Sequence, residues 1–162
     1  MNLYKKIFQI LEKEKIKYLT VGGVAVNLYG YSRFTGDIDI LLALDKVNLA
    51  KVDKVMEKMG YVMRLPIDVK ELNNKIKVNK WIKEKGMTAY TFISDKKPQL
   101  DLDILVDYSR SFEKFFKRKT LMEIWGMKIP VVSLDDLIDM KKKAGRDKDL
   151  LDLKALLELK TL

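Results

Sequence analysis

Two short runs of strict alternation limit what this chain can fold into more than any other feature. In Asp37-Ile38-Asp39-Ile40-Leu41-Leu42, and again in Leu100-Asp101-Leu102-Asp103-Ile104-Leu105-Val106-Asp107, carboxylates and aliphatic side chains take turns. Side chains of a strand point alternately to its two faces, so the first run puts Asp37 and Asp39 on one face and Ile38, Ile40 and Leu42 on the other. The second run does the same with Asp101, Asp103 and Asp107 against Leu100, Leu102, Ile104 and Val106. If the two strands pair with their acidic faces aligned, a third carboxylate joins the first two. Asp101 and Asp103 share that face, and register does not follow from one strand alone. Asp107, at the end of the run, is expected to cap the strand.

The residues before the first acidic run supply a complementary feature. Tyr18 to Val21 is a short apolar, β-branched run that stops at Gly22-Gly23, and Val24, Leu28 and Tyr31 follow at helical spacing. Strand, tight turn and helix are expected in that order. Glycines at such a turn let the backbone approach a ligand, and the N–H groups opening a helix attract an anion such as phosphate. Two carboxylates on one exposed strand face suit Mg²⁺, a hard cation that takes oxygen ligands and completes its shell with substrate phosphates. Either half alone reads equally well as a plain turn or a solvated strand face. The pair of glycines, thirteen intervening residues and Asp-Ile-Asp, set in a strand-turn-helix context, are far more specific together.

Composition removes whole classes of chemistry. The 162 residues contain no Cys and no His, so a structural zinc, a thiol nucleophile and imidazole acid–base catalysis are all excluded. Asp, Glu, Lys and hydroxyl groups must do any chemistry. With 48% hydrophobic and 34% charged residues, the chain reads as a soluble globular protein with one core. No run approaches the roughly 18 apolar residues of a membrane span, and MNLYKKIFQILEKEK is charged too often for a signal peptide, so a cytoplasmic protein with no membrane partner is expected. The formal net charge of +9 suits an anionic partner, nucleotide or nucleic acid, although lysines spread along helices also make an ordinary solvated face.

Periodicity orders the rest. An amphipathic helix is expected over 2–15, and another from an Asp45 cap to about Met59, with Val47, Val52, Val55, Met56 and Met59 inward and Gly60 closing it. Tyr61 to Leu65 reads as a strand. Val69 to Lys85 is helical or irregular, anchored by Leu72, Ile76, Val78, Trp81 and Ile82. Met87 to Ile93 and Gln99 to Val106 read as antiparallel neighbours across the DKKP turn. Phe112, Phe115 and Phe116 form a core patch in a basic segment, and Met127 to Val132 is a last strand after a turn at Gly126. Ser133 and Asp136 make a capping box for a helix to Ala144, Gly145 ends it, and a final helix runs from Asp147 to about Lys160. On the first of these helices Leu134, Leu137, Ile138 and Lys141 share a stripe. Lys141 is therefore aimed inward, snorkelling toward a cleft edge, while Lys142 and Lys143 point outward.

Gly22, Gly23, Asp37 and Asp39, with Arg33 and Thr35 in GYSRFTGDIDI, resemble the signature of the nucleotidyltransferase superfamily, which has a DNA polymerase β-like palm. The form is that of the AbiEii-like and related branches rather than the Gly-Ser form of the minimal antitoxin branch. DLIDMKKKAGRDKDLLDLKAL resembles the segment that follows the palm in those branches, with Lys141, Arg146, Asp149 and Asp152 at the matching positions. The resemblance implies an α/β (α+β) fold: a mixed, mostly antiparallel sheet with packed helices and a C-terminal helical pair. It implies one domain over 1–162, with a palm core at 1–108 and a helical region at 109–162 closing the cleft.

The implied activity is transfer of a nucleoside monophosphate from an NTP to a hydroxyl, with Mg²⁺ or Mn²⁺ held by Asp37, Asp39 and Asp103. Asp103 matches the family's third acid, the base, better than Asp101 does. Nucleotide contacts would come from Gly22, Gly23, Arg33, Thr35, Lys141, Arg146 and Asp149, with Asp152 structural. The acceptor is left open among tRNA, a protein and a small molecule. A toxin of a toxin–antitoxin pair with a cognate partner is one role it allows. The alternatives are a non-catalytic or antitoxin-like domain that works by binding a partner, and a basic nucleic-acid-binding domain.

Overall fold

The structure, a computed structural model, describes residues 2–162. The chain runs α1 (Leu3–Lys13), β1 (Tyr18–Val21), α2 (Gly22–Leu28), β2 (Asp37–Leu42), α3 (Lys46–Lys58), β3 (Tyr61–Met63), a 3₁₀ turn (Val69–Asn73) and α4 (Lys75–Lys85). It continues with β4 (Ala89–Ser94), β5 (Asp101–Leu105), α5 (Val106–Ser109), α6 (Phe112–Phe116), β6 (Thr120–Ile124), β7 (Met127–Val131), α7 (Leu134–Ala144) and α8 (Asp147–Lys160). The strands form one sheet in the order β3-β4-β5-β2-β1-β7-β6. Pairs β1–β2, β3–β4, β4–β5 and β6–β7 are antiparallel, while β2–β5 and β1–β7 are parallel. The sheet is mixed and mostly antiparallel, with α7 and α8 as a C-terminal helical pair. This is the nucleotidyltransferase fold. Among the described residues no helix is long and apolar enough to cross a membrane.

Burial follows the alternation. Ile38, Ile40, Leu102 and Ile104 are inaccessible, whereas Asp37, Asp39, Asp101 and Asp103 keep some exposure on the opposite face. At the middle of the sheet β1 is buried at all four residues, because both of its faces are covered. Strand β1 runs straight into α2 without an intervening turn. Gly22 is the first helical residue and takes a φ of +64°.

Several expectations from the sequence change. Val47 is 67% exposed, and its expected inward place belongs to Asn48. The Asn48 side chain accepts from the Lys17 N–H at 2.8 Å and donates to the carbonyls of Lys17 (3.0 Å) and Ala43 (2.8 Å). Ile76, in the first turn of α4, is 82% exposed, and Val69, Leu72 and Val78 anchor the region instead. Asp107 does not cap β5, since the chain turns at once into α5 and Asp107 pairs with Arg110 one turn later. Ser133 accepts from the Asp136 N–H as half a capping box, but the Asp136 carboxylate takes a two-pronged bond from Arg118. Strand β6 had no clear sequence signal. Its Trp125-Gly126 hairpin puts both central residues at positive φ, 54° and 75°, a geometry that Asn-Gly announces and Trp-Gly does not.

Asn48, 3% exposed itself, satisfies three backbone groups, the Ala43 carbonyl among them in a fully buried bond. Asn48→Ala should lower unfolding free energy by about 2–3 kcal/mol, the cost of leaving several such groups unpaired. Urea denaturation measures it. A loss under about 0.5 kcal/mol, the size of an ordinary surface change, would mean the clip is dispensable.

Candidate active site

The acidic site is a product of strand register. Parallel pairing sets Asp39 opposite Asp103 and Asp37 opposite Asp101. Carboxylate oxygens of Asp37, Asp39 and Asp103 all lie within 4.8 Å of one another. Asp101 belongs to the same face but starts two residues earlier, roughly 6–7 Å along the strand. There it accepts from the Ser94 N–H (3.1 Å) and from Gln99 Nε2 (3.1 Å), and faces Arg64 at 3.8 Å. Asp103 instead receives the Thr91 hydroxyl at 2.5 Å from the neighbouring strand, where the two residues are directly opposed.

Three carboxylates at this spacing repel one another. Burial first, then the charges of Asp37 and Asp103, push Asp39 up to about 7, against a smaller opposing effect of Lys141 and Lys148. Asp103 also moves upward, chiefly through burial, with Asp37 adding to the shift and the Thr91 hydrogen bond opposing it. A divalent cation relieves this repulsion, and an all-carboxylate donor set fits a hard ion of the Mg²⁺ or Mn²⁺ kind.

Both glycines are required by the chain itself. A Cβ on Gly22 would stand 2.1 Å from Asp39 Oδ2, and one on Gly23 would stand 2.7 Å from Thr35 Oγ1 and 3.1 Å from Arg33 Nη2. The close approach expected of a ligand is thus made first by Asp39, which antiparallel pairing sets opposite Val21. Thr35 lies with its hydroxyl 3.4 Å from Asp37 Oδ1, and its carbonyl accepts from the Tyr4 hydroxyl.

On the other side of the cleft a chain of charges joins three elements. Arg33, in the loop before β2, forks onto Asp152 of α8 at 2.7 and 2.8 Å. Lys141 of α7 meets Asp149 at 3.0 Å and Asp152 at 2.9 Å, and Arg146 meets Asp149 at 2.6 Å. The side chains of Asp149 and Asp152 are wholly buried. Burial raises their pKa values, but the bonds from Arg146 and Lys141 prevail and bring Asp149 down to about 2; Arg33 and Lys141 likewise lower Asp152. Lys141 is aimed inward as its stripe predicts, yet its ammonium is tied to two carboxylates rather than extended to an edge. Lys143 also departs from expectation, for it lines the cleft while Lys142 does not. The Arg146 side chain is 62% exposed and is the open cation of the chain of charges.

These groups line one cleft of about 630 Å³, within the range of small-molecule sites. It brings together Gly22, Gly23, Arg33, Thr35, the three acids, Lys141, Arg146 and Asp149. Sequence reasoning missed Thr91, Lys148 and the wall built by α4 and α5. Thr91 shows only once β4 and β5 are registered, and the wall consists of unremarkable apolar residues.

The family model described as aminoglycoside-2''-adenylyltransferase matches residues 3–156. No curated protein sequence matches the chain. Among solved structures it is similar to the lincosamide antibiotic adenylyltransferase LnuA with lincomycin bound, at 19% identity and TM-score 0.64, covering 96% of this chain and 95% of that one. It is also similar to an antigenic nucleotidyltransferase-like protein from Paracoccidioides brasiliensis (16%, TM-score 0.59, 93% and 72%). A third is ANT(2")-Ia in complex with adenylyl-2"-tobramycin (14%, TM-score 0.56, 95% and 85%). At these identities the structural likeness is one of fold.

Two outcomes follow from the electrostatics. Asp39 keeps its proton to about 7 in the fold against 3.8 when unfolded, so between those values the native state binds the extra proton. Its stabilising contribution is complete below about pH 4 and lost as pH rises through 7. In EDTA, Asp39→Asn should therefore raise the melting temperature at pH 8, by the equivalent of on the order of 2–4 kcal/mol, and leave it nearly unchanged at pH 4. An equal effect at both pH values would show that the cost of ionising Asp39 in its buried place is not the cause. Asp152→Ala removes the buried carboxylate that Arg33 forks onto and one of the two that hold Lys141, and should cost about 3–5 kcal/mol of unfolding free energy. A calorimetric loss below 1 kcal/mol would mean water replaces the carboxylate.

Proposed function

Because the chain belongs to the aminoglycoside-2''-adenylyltransferase family of nucleotidyltransferases, we propose that it moves an adenylyl group from ATP to a hydroxyl of a small antibiotic of the aminoglycoside or lincosamide kind. The observation that carries this reading is the meeting of Asp37, Asp39 and Asp103 at the floor of a cleft large enough for a nucleotide. A single domain serves it: 109–162 is not purely helical, since β6 and β7 join the sheet, and it is the α7–α8 pair that faces the acidic strands β2 and β5 across the cleft.

Asp37, Asp39 and Asp103 would hold Mg²⁺ or Mn²⁺, which would supply positive charge to offset the triphosphate and the charge developing on the attacking and leaving oxygens. Asp103 accepts the proton of the acceptor hydroxyl. Thr91 occupies its Oδ1, which leaves Oδ2 for that task, and burial raises its proton affinity in the direction a base needs. As the acceptor oxygen bonds to the α-phosphorus, the bond to the β-phosphate oxygen breaks and pyrophosphate leaves. The Gly22-Gly23 backbone and Thr35 bound the phosphates on one side, and Arg146 faces them from the other. Lys141 adds its field from behind, held by Asp149 and Asp152, while Arg33 acts by fixing α8 to the loop that carries Thr35.

The matched family and structures point to small acceptors. They lend no support to tRNA or protein acceptors, an AbiEii-like affiliation or a toxin–antitoxin partner, and a purely basic nucleic-acid-binding role leaves the three acids without work.

Radiolabelled transfer from α-labelled ATP to lincomycin and to tobramycin, with and without EDTA, tests the proposal. Transfer should require the divalent ion, and Asp37→Asn and Asp103→Asn should each cut it by at least about two to three powers of ten. ATP binding of equal strength with and without EDTA would move the site to the general basic surface and refute the three-acid reading.

A further inference from the structure

The two walls of the cleft differ in character, and we propose that together they select an acceptor of low positive charge with a large apolar face, a monobasic or neutral hydroxyl compound rather than a polyamine. This deepens the function proposed above and rests on it, since it places the acceptor hydroxyl beside Asp103.

Asp103 has Thr91, Asp101 and Arg64 on its β4 side, but from Asp103 toward α5 the lining is mostly apolar, Thr88 and Asp107 aside. Leu105 follows it on the same face of β5, and Ala89 of β4 is directly opposed to Leu105. Ile82 and Met87 at the end of α4, and Tyr108 of α5, complete that wall. An ammonium group pressed against such a surface loses its hydration and needs a carboxylate in exchange. The carboxylate that this part of the lining offers, Asp107, is already ion-paired with Arg110, and Arg110 is held in turn by Asn79. Asp139 is near enough to act on the Tyr108 phenol through its field but does not line the cleft.

The opposite wall carries the other sign. Lys143, Arg146 and Lys148 line it. The carboxylates that balance Lys141 and Arg146 are Asp149 and Asp152, buried behind them. The excess of +9 on the whole chain adds the same sign at longer range. Once metal ligation takes up Asp37, Asp39 and Asp103, a polyamine entering the cleft meets cations on one wall and hydrocarbon on the other. A compound with one basic nitrogen directs that nitrogen to solvent and lays its apolar part on Leu105, Met87 and Tyr108. Selection here works by withholding counter-charges from the wrong acceptor as much as by fitting the right one.

The test uses lincomycin, which is monobasic, and tobramycin, a polyamine, titrated calorimetrically into the protein loaded with Mg²⁺ and α,β-methylene-ATP. Lincomycin should bind at least about tenfold more tightly. Equal or tighter binding of tobramycin overturns the proposal, and so does failure of both to bind. In the double variant Lys143→Glu/Lys148→Glu the ratio should move toward tobramycin by about tenfold or more; an unmoved ratio overturns the role given to the basic wall. The function underneath fails by a different sign: ATP binding indifferent to EDTA and no pyrophosphate from either acceptor. Metal-dependent transfer that favours tobramycin would leave that function standing and remove only the selectivity argued here.

Discussion

The buried line of charges running Arg33, Asp152, Lys141, Asp149, Arg146 is the interaction on which the rest of the structure depends. It ties the loop before β2, the inner face of α7 and the first turns of α8 into one unit. Two carboxylates with no exposed surface are tolerable only because three cations answer them, each through forked or paired bonds. An apolar cluster of similar volume would hold the helices to the sheet equally well. What it would lack is direction: guanidinium and carboxylate planes permit few arrangements, so the helical pair is set at one distance from the acidic face. These bonds oppose sliding of α7 and α8 against the loop before β2.

Against that rigid side stands a cluster that repels itself. Burial first, and the charges of neighbouring acids after it, raise the proton affinity of Asp39 and Asp103. Relaxation is blocked locally. Asp39 is wedged against Gly22, where even a methyl group would not fit, and Asp103 is held by Thr91. A multivalent cation would relieve the mutual repulsion of these acids, which is greatest at the pH where they are charged. The two sides of the cleft thus use opposite treatments of buried charge. One neutralises it within the chain, and the other leaves it to be neutralised from outside.

Much of the fold and part of the site were legible in the residues. The alternation of Asp with Ile or Leu declared β2 and β5 and told which face of each was buried. Ser133, Gly145 and the Asp147 start placed α7 and α8 to the residue, because capping is local chemistry. Local rules also explain the failures. Val47 and Ile76 are apolar and were counted inward, but each lies in the first turn of its helix on the side away from the sheet, and a polar residue, Asn48, was buried for hydrogen bonds that no periodicity reveals. Strand β6 was invisible because its side chains are mostly exposed and its turn uses Trp125.

The sequence by itself determined the kinds of chemistry available: carboxylates without imidazole or thiol, two acidic strand faces, and a pair of glycines between a strand and a helix. Only the tertiary structure decided which of these groups meet. Asp101 and Asp103 are equivalent within their own strand, and the parallel register of β5 on β2 alone carries one to the cluster and the other to a loop. Lys141 faces inward by helix geometry, yet whether an inward lysine reaches a ligand or an ion pair depends on α8, whose contribution lies eight and eleven residues further on. Register and helix docking are long-range properties, set by the sum of many buried contacts across the chain. No local pattern encodes them, and the fine structure of the site is built from them.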